Sequence, residues 1–146
     1  MIGKRLCCAL AFVAMTAVAH AEMPTASLSA GIHLIQAEVA HTQAARTKGL
    51  MYRRQLARNQ GMVFVFPEPG RHCMWMRNTF VPLTVAFLDD EGYIVNLSDM
   101  QPQTEDLHCA ARPVRYALEM SQGWFAERGL GRGARISGLD KLPPAQ

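Results

Sequence analysis

The chain has 146 residues, 49% of them hydrophobic, and a formal net charge of +3, which suits one compact domain with its own core. Two of the cations, Lys4 and Arg5, lie in an N-terminal segment that reads as removable. Without them the charge falls to about +1, and nothing resembles the basic stripe that a nucleic-acid binder needs, so nucleic acid is not an expected partner.

Lys4 and Arg5 precede an apolar run over 6–18 and then Ala19-His20-Ala21, the small-x-small pattern that signal peptidase accepts. Residues 1–21 therefore read as a cleaved export signal, with the mature chain starting at Glu22. A run of about 13 apolar residues is too short for a bilayer that needs roughly 20. Cys7 and Cys8 stand at the start of the run rather than after it, which argues against a lipoprotein signal. The expectation is a periplasmic or secreted, soluble monomer with no transmembrane span once the signal is gone. Intact-mass analysis of the exported protein should give a chain beginning at Glu22, and a retained N-terminus would overturn this reading.

Residues 22–31 are small and polar and read as a flexible lead-in. Loose alternation over 32–40 predicts a first strand. Thr42 is placed to cap a short helix running to about Met51, weakened at Gly49. Gly61 opens Met62-Val63-Phe64-Val65-Phe66, an apolar run suited to a central strand covered on both faces, and Pro67 and Pro69 stop it. Strands follow at 72–76 and 83–88, separated by a polar turn, and Asp89-Asp90-Glu91-Gly92 turns the chain into a strand over 93–97. Residues 102–112 are irregular and polar. A strand is predicted at 114–120, then a helix over 122–128 capped by Ser121 and ended by Gly129, then a last strand at 134–137.

Five to seven strands with two short helices predict a mostly β (α+β) fold, a small antiparallel barrel or a strongly curved sheet. The globular domain is expected over 32–139, with 140–146 a frayed tail. No βαβ rhythm and no glycine-rich phosphate loop occur, which argues against a nucleotide-binding fold.

The mature chain keeps two cysteines, Cys73 and Cys109. In an oxidising compartment two cysteines most often pair, and a disulfide is the first reading. The alternatives are metal ligation and free or reactive thiols. His72-Cys73 and His108-Cys109, with Met74, Met76 and Met100, form a soft donor set that suits copper(I) or zinc. Neighbouring side chains on a strand point to opposite faces, however, so one His-Cys pair does not easily chelate one ion.

Several ordered segments carry a resemblance: Lys48-Gly49-Leu50-Met51-Tyr52-Arg53, Gly61-Met62-Val63-Phe64-Val65-Phe66, Trp75-Met76-Arg77-Asn78-Thr79 with Pro82-Leu83, Asp89-Asp90-Glu91-Gly92, and Tyr116-Ala117-Leu118-Glu119. A glycine-bounded helix over 123–133 follows. In these the chain resembles the family catalogued as domain of unknown function 192, over roughly 32–139. The resemblance implies a compact, often exported, mostly β domain. It brings no established activity, so no catalytic residue or cofactor is carried over.

Arg77, Asn78 and Thr79 with Pro82 have sound turn chemistry, since Asn and Thr side chains satisfy local backbone groups. The functional alternative is a small polar pocket floored by Trp75 and edged by Arg53 and Arg77, with Asn78 and Thr79 beside it. Two arginines there would hold a carboxylate or an acidic sugar bidentately. No nucleophile stands beside an obvious base, and Cys109 beside His108 would be silenced by a disulfide. Glu119 is the one acid inside an apolar strand, and a salt bridge to Arg115 or Arg112 is its expected role. The residues favour an exported binding or accessory module of the cell envelope, recognising a small acidic or saccharide ligand or a protein partner. A metal-binding protein using His72, Cys73, His108 and Cys109, and a hydrolase or other enzyme with an unrecognised site, remain the alternatives.

Overall fold

The computed structural model describes residues 22–146. The predicted export signal at 1–21 lies outside the described residues. Strands β1 (Thr25–Ala30), β2 (His33–Ala40), β3 (Gln60–Gly70), β5 (Leu83–Leu88), β6 (Ile94–Met100) and β8 (Val114–Ser121) form one six-stranded sheet, and β4 (Cys73–Met74) and β7 (His108–Cys109) form a separate small ladder. The order in the large sheet is β1-β2-β3-β8-β5-β6.

The sheet is open, and the expected barrel is corrected on this point. β1 and β6 are its two edges and do not pair. The chain leaves β2 through helix α1 (Gln43–Lys48) and returns beside it as the parallel strand β3, so the sheet is mixed. A crossover of this kind carries the chain over one face instead of closing the sheet edge to edge.

β3, β8 and β5 lie at the centre, which explains their apolar character: both faces are covered. On one face Val63, Leu118, Met120 and Ala86 pack with Ile35 and Leu28 under Trp124, Phe125 and Ile136. On the other, Met62, Phe64, Val85, Phe87 and Ala117 pack with Leu50, Met76 and Met100. Each large side chain fully withdrawn from water contributes about 1.5–3 kcal/mol. A Cβ at Gly61 would collide with the Glu119 carbonyl oxygen, so glycine is required where β3 passes β8 at this position.

The local signals around α1 held. Thr42 caps α1, its hydroxyl accepting from the Ala45 amide at 3.1 Å, and Gly49 at φ +49° ends the helix three residues sooner than expected. Longer-range expectations moved. The segment expected as a flexible lead-in contains β1, because pairing with β2 satisfies its backbone. The strand expected at 72–76 keeps only two residues, and that at 134–137 reduces to isolated bridges such as Ser29 with Ser137. The helix expected at 122–128 is a single 3-10 turn, Ala126–Arg128, since Ser121 stays in β8. The tail is held: the Gln146 amide donates to the His41 carbonyl at 2.7 Å, and Arg46 donates to the Gln146 carbonyl at 2.8 Å.

Candidate functional site

Residues 49–56 and 75–82 cover the Met62 and Phe64 face of the sheet through Leu50, Leu56, Met76 and Val81, and a third segment, 101–107, bonds to the second of them. They meet at one corner. The Tyr52 amide donates to the Asn78 carbonyl at 2.8 Å, and Asn78 Nδ2 donates to the Tyr52 hydroxyl at 3.1 Å. The Gln103 amide donates to the Thr79 carbonyl at 3.0 Å, and the Met76 amide to the Thr104 carbonyl at 3.0 Å. Tyr52 (φ +66°), Asn78 (φ +52°) and Gln103 (φ +57°) are the three non-glycine residues with left-handed φ among those described, one from each segment. Such residues cost on the order of 1–3 kcal/mol each and persist only where the surroundings over-determine them.

Exposed aromatics gather at the same segments. Trp75 is 40% exposed, Tyr52 62% and Phe80 38%, and the Tyr52 and Phe80 rings meet edge-on at 6.3 Å between centroids. The Arg77 guanidinium lies 5.6 Å from the centroid of the Trp75 ring. It also approaches Glu105 at 3.5 Å, with both side chains more than half exposed, and a pair of that kind contributes about 0–1 kcal/mol and leaves most guanidinium donors in water.

The five residues expected to form one pocket divide. Trp75 and Thr79 line a small cavity of about 30 Å³. Thr79 is buried, and its hydroxyl donates to the Arg77 carbonyl at 3.1 Å. Asn78 and Arg77 stay at the surface beside it. Arg53 turns elsewhere: it donates to Glu38 of β2 at 2.6 Å and lines a separate open groove of about 900 Å³ with Gln36, Lys48 and Gln60. The two-arginine clamp for a carboxylate is therefore not formed, because Glu38 holds Arg53 in the separate groove and leaves Arg77 alone beside Trp75.

The small cavity has an unexpected floor. Glu119 of β8 lines it, and its walls come from Leu50, Met51, Phe64, Trp75 and Thr79. Four of the segments that carry the family resemblance thus contribute to one cavity. The expected salt bridge of Glu119 is not there. Arg112 pairs with Asp89 at 3.1 Å, while Arg115 reaches Asp90 at 3.7 Å and donates to the Pro67 carbonyl at 2.8 Å. Both arginines follow the turn acids at the far end of β8. Burial alone pushes the Glu119 carboxyl up to about 8, with no charge or hydrogen bond opposing it. Among the described residues no sealed side-chain oxygen lacks a partner, so the unpartnered carboxyl reaches the opening of the cavity. The sequence signal for it was its place as the one acid in an apolar strand. Tyr52 and Phe80 carried no such signal.

Cys73 and Cys109 form a disulfide, their Cα atoms 4.0 Å apart across the β4–β7 ladder. This removes both thiolates from the alternative metal site. His72 Nε2 donates to the Glu68 carbonyl at 2.9 Å and its ring stacks on Phe66, while His108 Nδ1 meets the Ser98 hydroxyl at 2.7 Å. Among the described residues no three His, Cys, Asp or Glu side chains are grouped as metal ligands. No helix among them is long and apolar enough to cross a membrane.

Two solved structures are similar. One, from Sinorhizobium meliloti 1021 and described as a candidate transcription regulator, is 32% identical with a TM-score of 0.77, covering 82% of this chain and 97% of that one. The other, a protein of unknown function from Novosphingobium aromaticivorans DSM 12444, is 30% identical with a TM-score of 0.74, covering 88% of this chain and 94% of that one. No curated protein matches the chain. The model of the DUF192 family, described as an uncharacterized ACR, matches residues 25–138, which hold every strand of the fold, and the chain belongs to that family.

Proposed function

We propose that the chain is an exported binding or accessory module of the cell envelope that holds a small ligand of saccharide or acidic type on the surface formed by Trp75, Arg77 and Asn78. One observation carries this reading: an exposed indole sits where three segments meet and each contributes a left-handed non-glycine residue. Folding alone gains nothing from concentrating strain beside a wet aromatic ring, whereas a rigid, pre-formed platform lowers the ordering cost of binding. Tryptophan supplies an apolar face for a sugar ring, and the exposed guanidinium and amide supply donors at its edge. The export signal read from the sequence supports a location of this surface outside the cytoplasm.

A thermal-shift screen of the mature protein against peptidoglycan fragments and neutral and acidic sugars tests it. A ligand at 100 times its Kd stabilises by about 2.7 kcal/mol, a plainly visible shift. Arg77→Ala and Trp75→Ala are expected to remove that shift, and Arg77→Ala should change intrinsic stability by less than about 1 kcal/mol, as surface substitutions do. A shift that survives both substitutions, or no shift across the screen, would reject the surface.

A further inference from the structure

We propose that the cavity over Glu119 is a subsite for an uncharged hydroxyl or hydroxymethyl group of the ligand held at Trp75, which makes that ligand a hydroxylated molecule whose buried group is a hydroxyl and not a carboxylate. The inference rests on the binding surface proposed above and narrows its ligand class.

Trp75 connects the two places. It is 40% exposed, yet it also lines the cavity that Glu119 floors, so a molecule lying on the indole has a side group within reach of the opening. The space of about 30 Å³ exceeds the minimum of roughly 10–15 Å³ for one water and suits a group of one or two heavy atoms. Its walls are Leu50, Met51, Phe64, Trp75 and Thr79, against one carboxyl that no charge or hydrogen bond holds and that faces the opening. A polar group buried in such a place calls for a hydrogen-bonding occupant.

The charge of the occupant follows from the same walls. Arg46 and Lys48 are the cations at the rim. The Arg46 guanidinium is spent on the His41, Val65 and Gln146 carbonyls at 2.7, 3.0 and 2.8 Å, and Lys48 is exposed. No cation therefore compensates a buried anion, and a ligand carboxylate would bear its full desolvation cost. With its carboxyl pushed up to about 8 by burial, Glu119 is protonated at neutral pH and both donates and accepts. A hydroxyl does the same, so the two groups satisfy each other.

Methanol and formate, alike in size and opposite in charge, are the probes. In the full mature protein with 13C-labelled glutamate side chains, methanol is expected to shift the Glu119 carboxyl resonance saturably and formate to leave it in place. Glu119→Gln, which keeps a donor and an acceptor, should retain saturable methanol shifts at Thr79 and the Trp75 indole, and Glu119→Leu should lose them. Equal responses to both probes, or a linear methanol drift common to the whole protein, would overturn the subsite. The saccharide screen separates the two readings. A sugar that perturbs Trp75 but not Glu119 defeats the subsite and leaves the surface. Sugars that perturb neither residue, with a saturable methanol shift, defeat the surface and the assignment of the subsite to a ligand held there.

Discussion

Glu119→Gln is expected to stabilise the protein, by an amount that grows with pH. The carboxyl rises from an ordinary value of 4.5 to about 8 in the folded state because burial disfavours its charged form. The folded chain then binds one more proton than the unfolded chain between those two values. Stability falls with rising pH across that interval by about 1.4 kcal/mol per unit. This contribution is fully present below about pH 4.5 and lost as pH rises through about 8, of order 5 kcal/mol in all. Glutamine has no charge to suppress and matches the shape of the protonated acid. The advantage of the variant should thus be constant below about pH 4.5, increase to about 8, and level off above. Urea unfolding of both proteins from pH 4 to 9 measures it. Parallel profiles would mean that Glu119 ionises freely in the fold. The neighbouring groups give no other source for the effect, since Met62 and Val85 stand opposite Glu119 on the flanking strands and Arg46 and Lys48 are engaged or solvated.

The second large effect belongs to the disulfide. Cys73 and Cys109 are 36 residues apart, and closing a loop of that length restricts the unfolded chain by about 4 kcal/mol. Cys109→Ser should lose stability of that order, with a fall in Tm of roughly 10–20 °C. The loss should appear first near the bond. β4 and β7 pair through Cys73 with Cys109 and Met74 with His108 alone, and so short a ladder is marginal without a covalent tie. Hydrogen exchange should therefore quicken over 73–79 and 104–110 before the central strands respond, and the Trp75 surface should lose ligand in the same variant. Two freely alkylatable thiols in protein isolated from outside the cytoplasm, or a variant as stable as its parent, would reject this account.

The candidate surface was legible as far as local chemistry reached. Trp75, Arg77 and Asn78 stand together because they are neighbours on one turn, and turn residues keep their company in any fold. Arg53 was not legible. Its position 22 residues before Trp75 says nothing of Glu38, which β2 brings within 2.6 Å through a parallel register with β3. Glu119 was visible as an anomaly, an acid in an apolar strand, but its partner was misread. Arg115 lies four residues away on an extended strand, too far along β8 to meet it, and Asp90 takes it instead.

By itself the sequence determined the mostly β class, the central apolar strands and the cap on α1, and it offered Cys73 and Cys109 as the first pairing to expect. Each depends on side-chain period, on a single capping residue or on a count of two, and these act over a few residues or by elimination. The tertiary structure alone decided that the sheet stays open, that β2 and β3 run parallel, and that Tyr52, Asn78 and Gln103 meet. It also decided that Glu119 has a cavity for a neighbour instead of a cation. These are pairings between residues 24 or more apart in the chain, set by which faces can be buried together, and local periodicity is the same for every order in which the strands might lie.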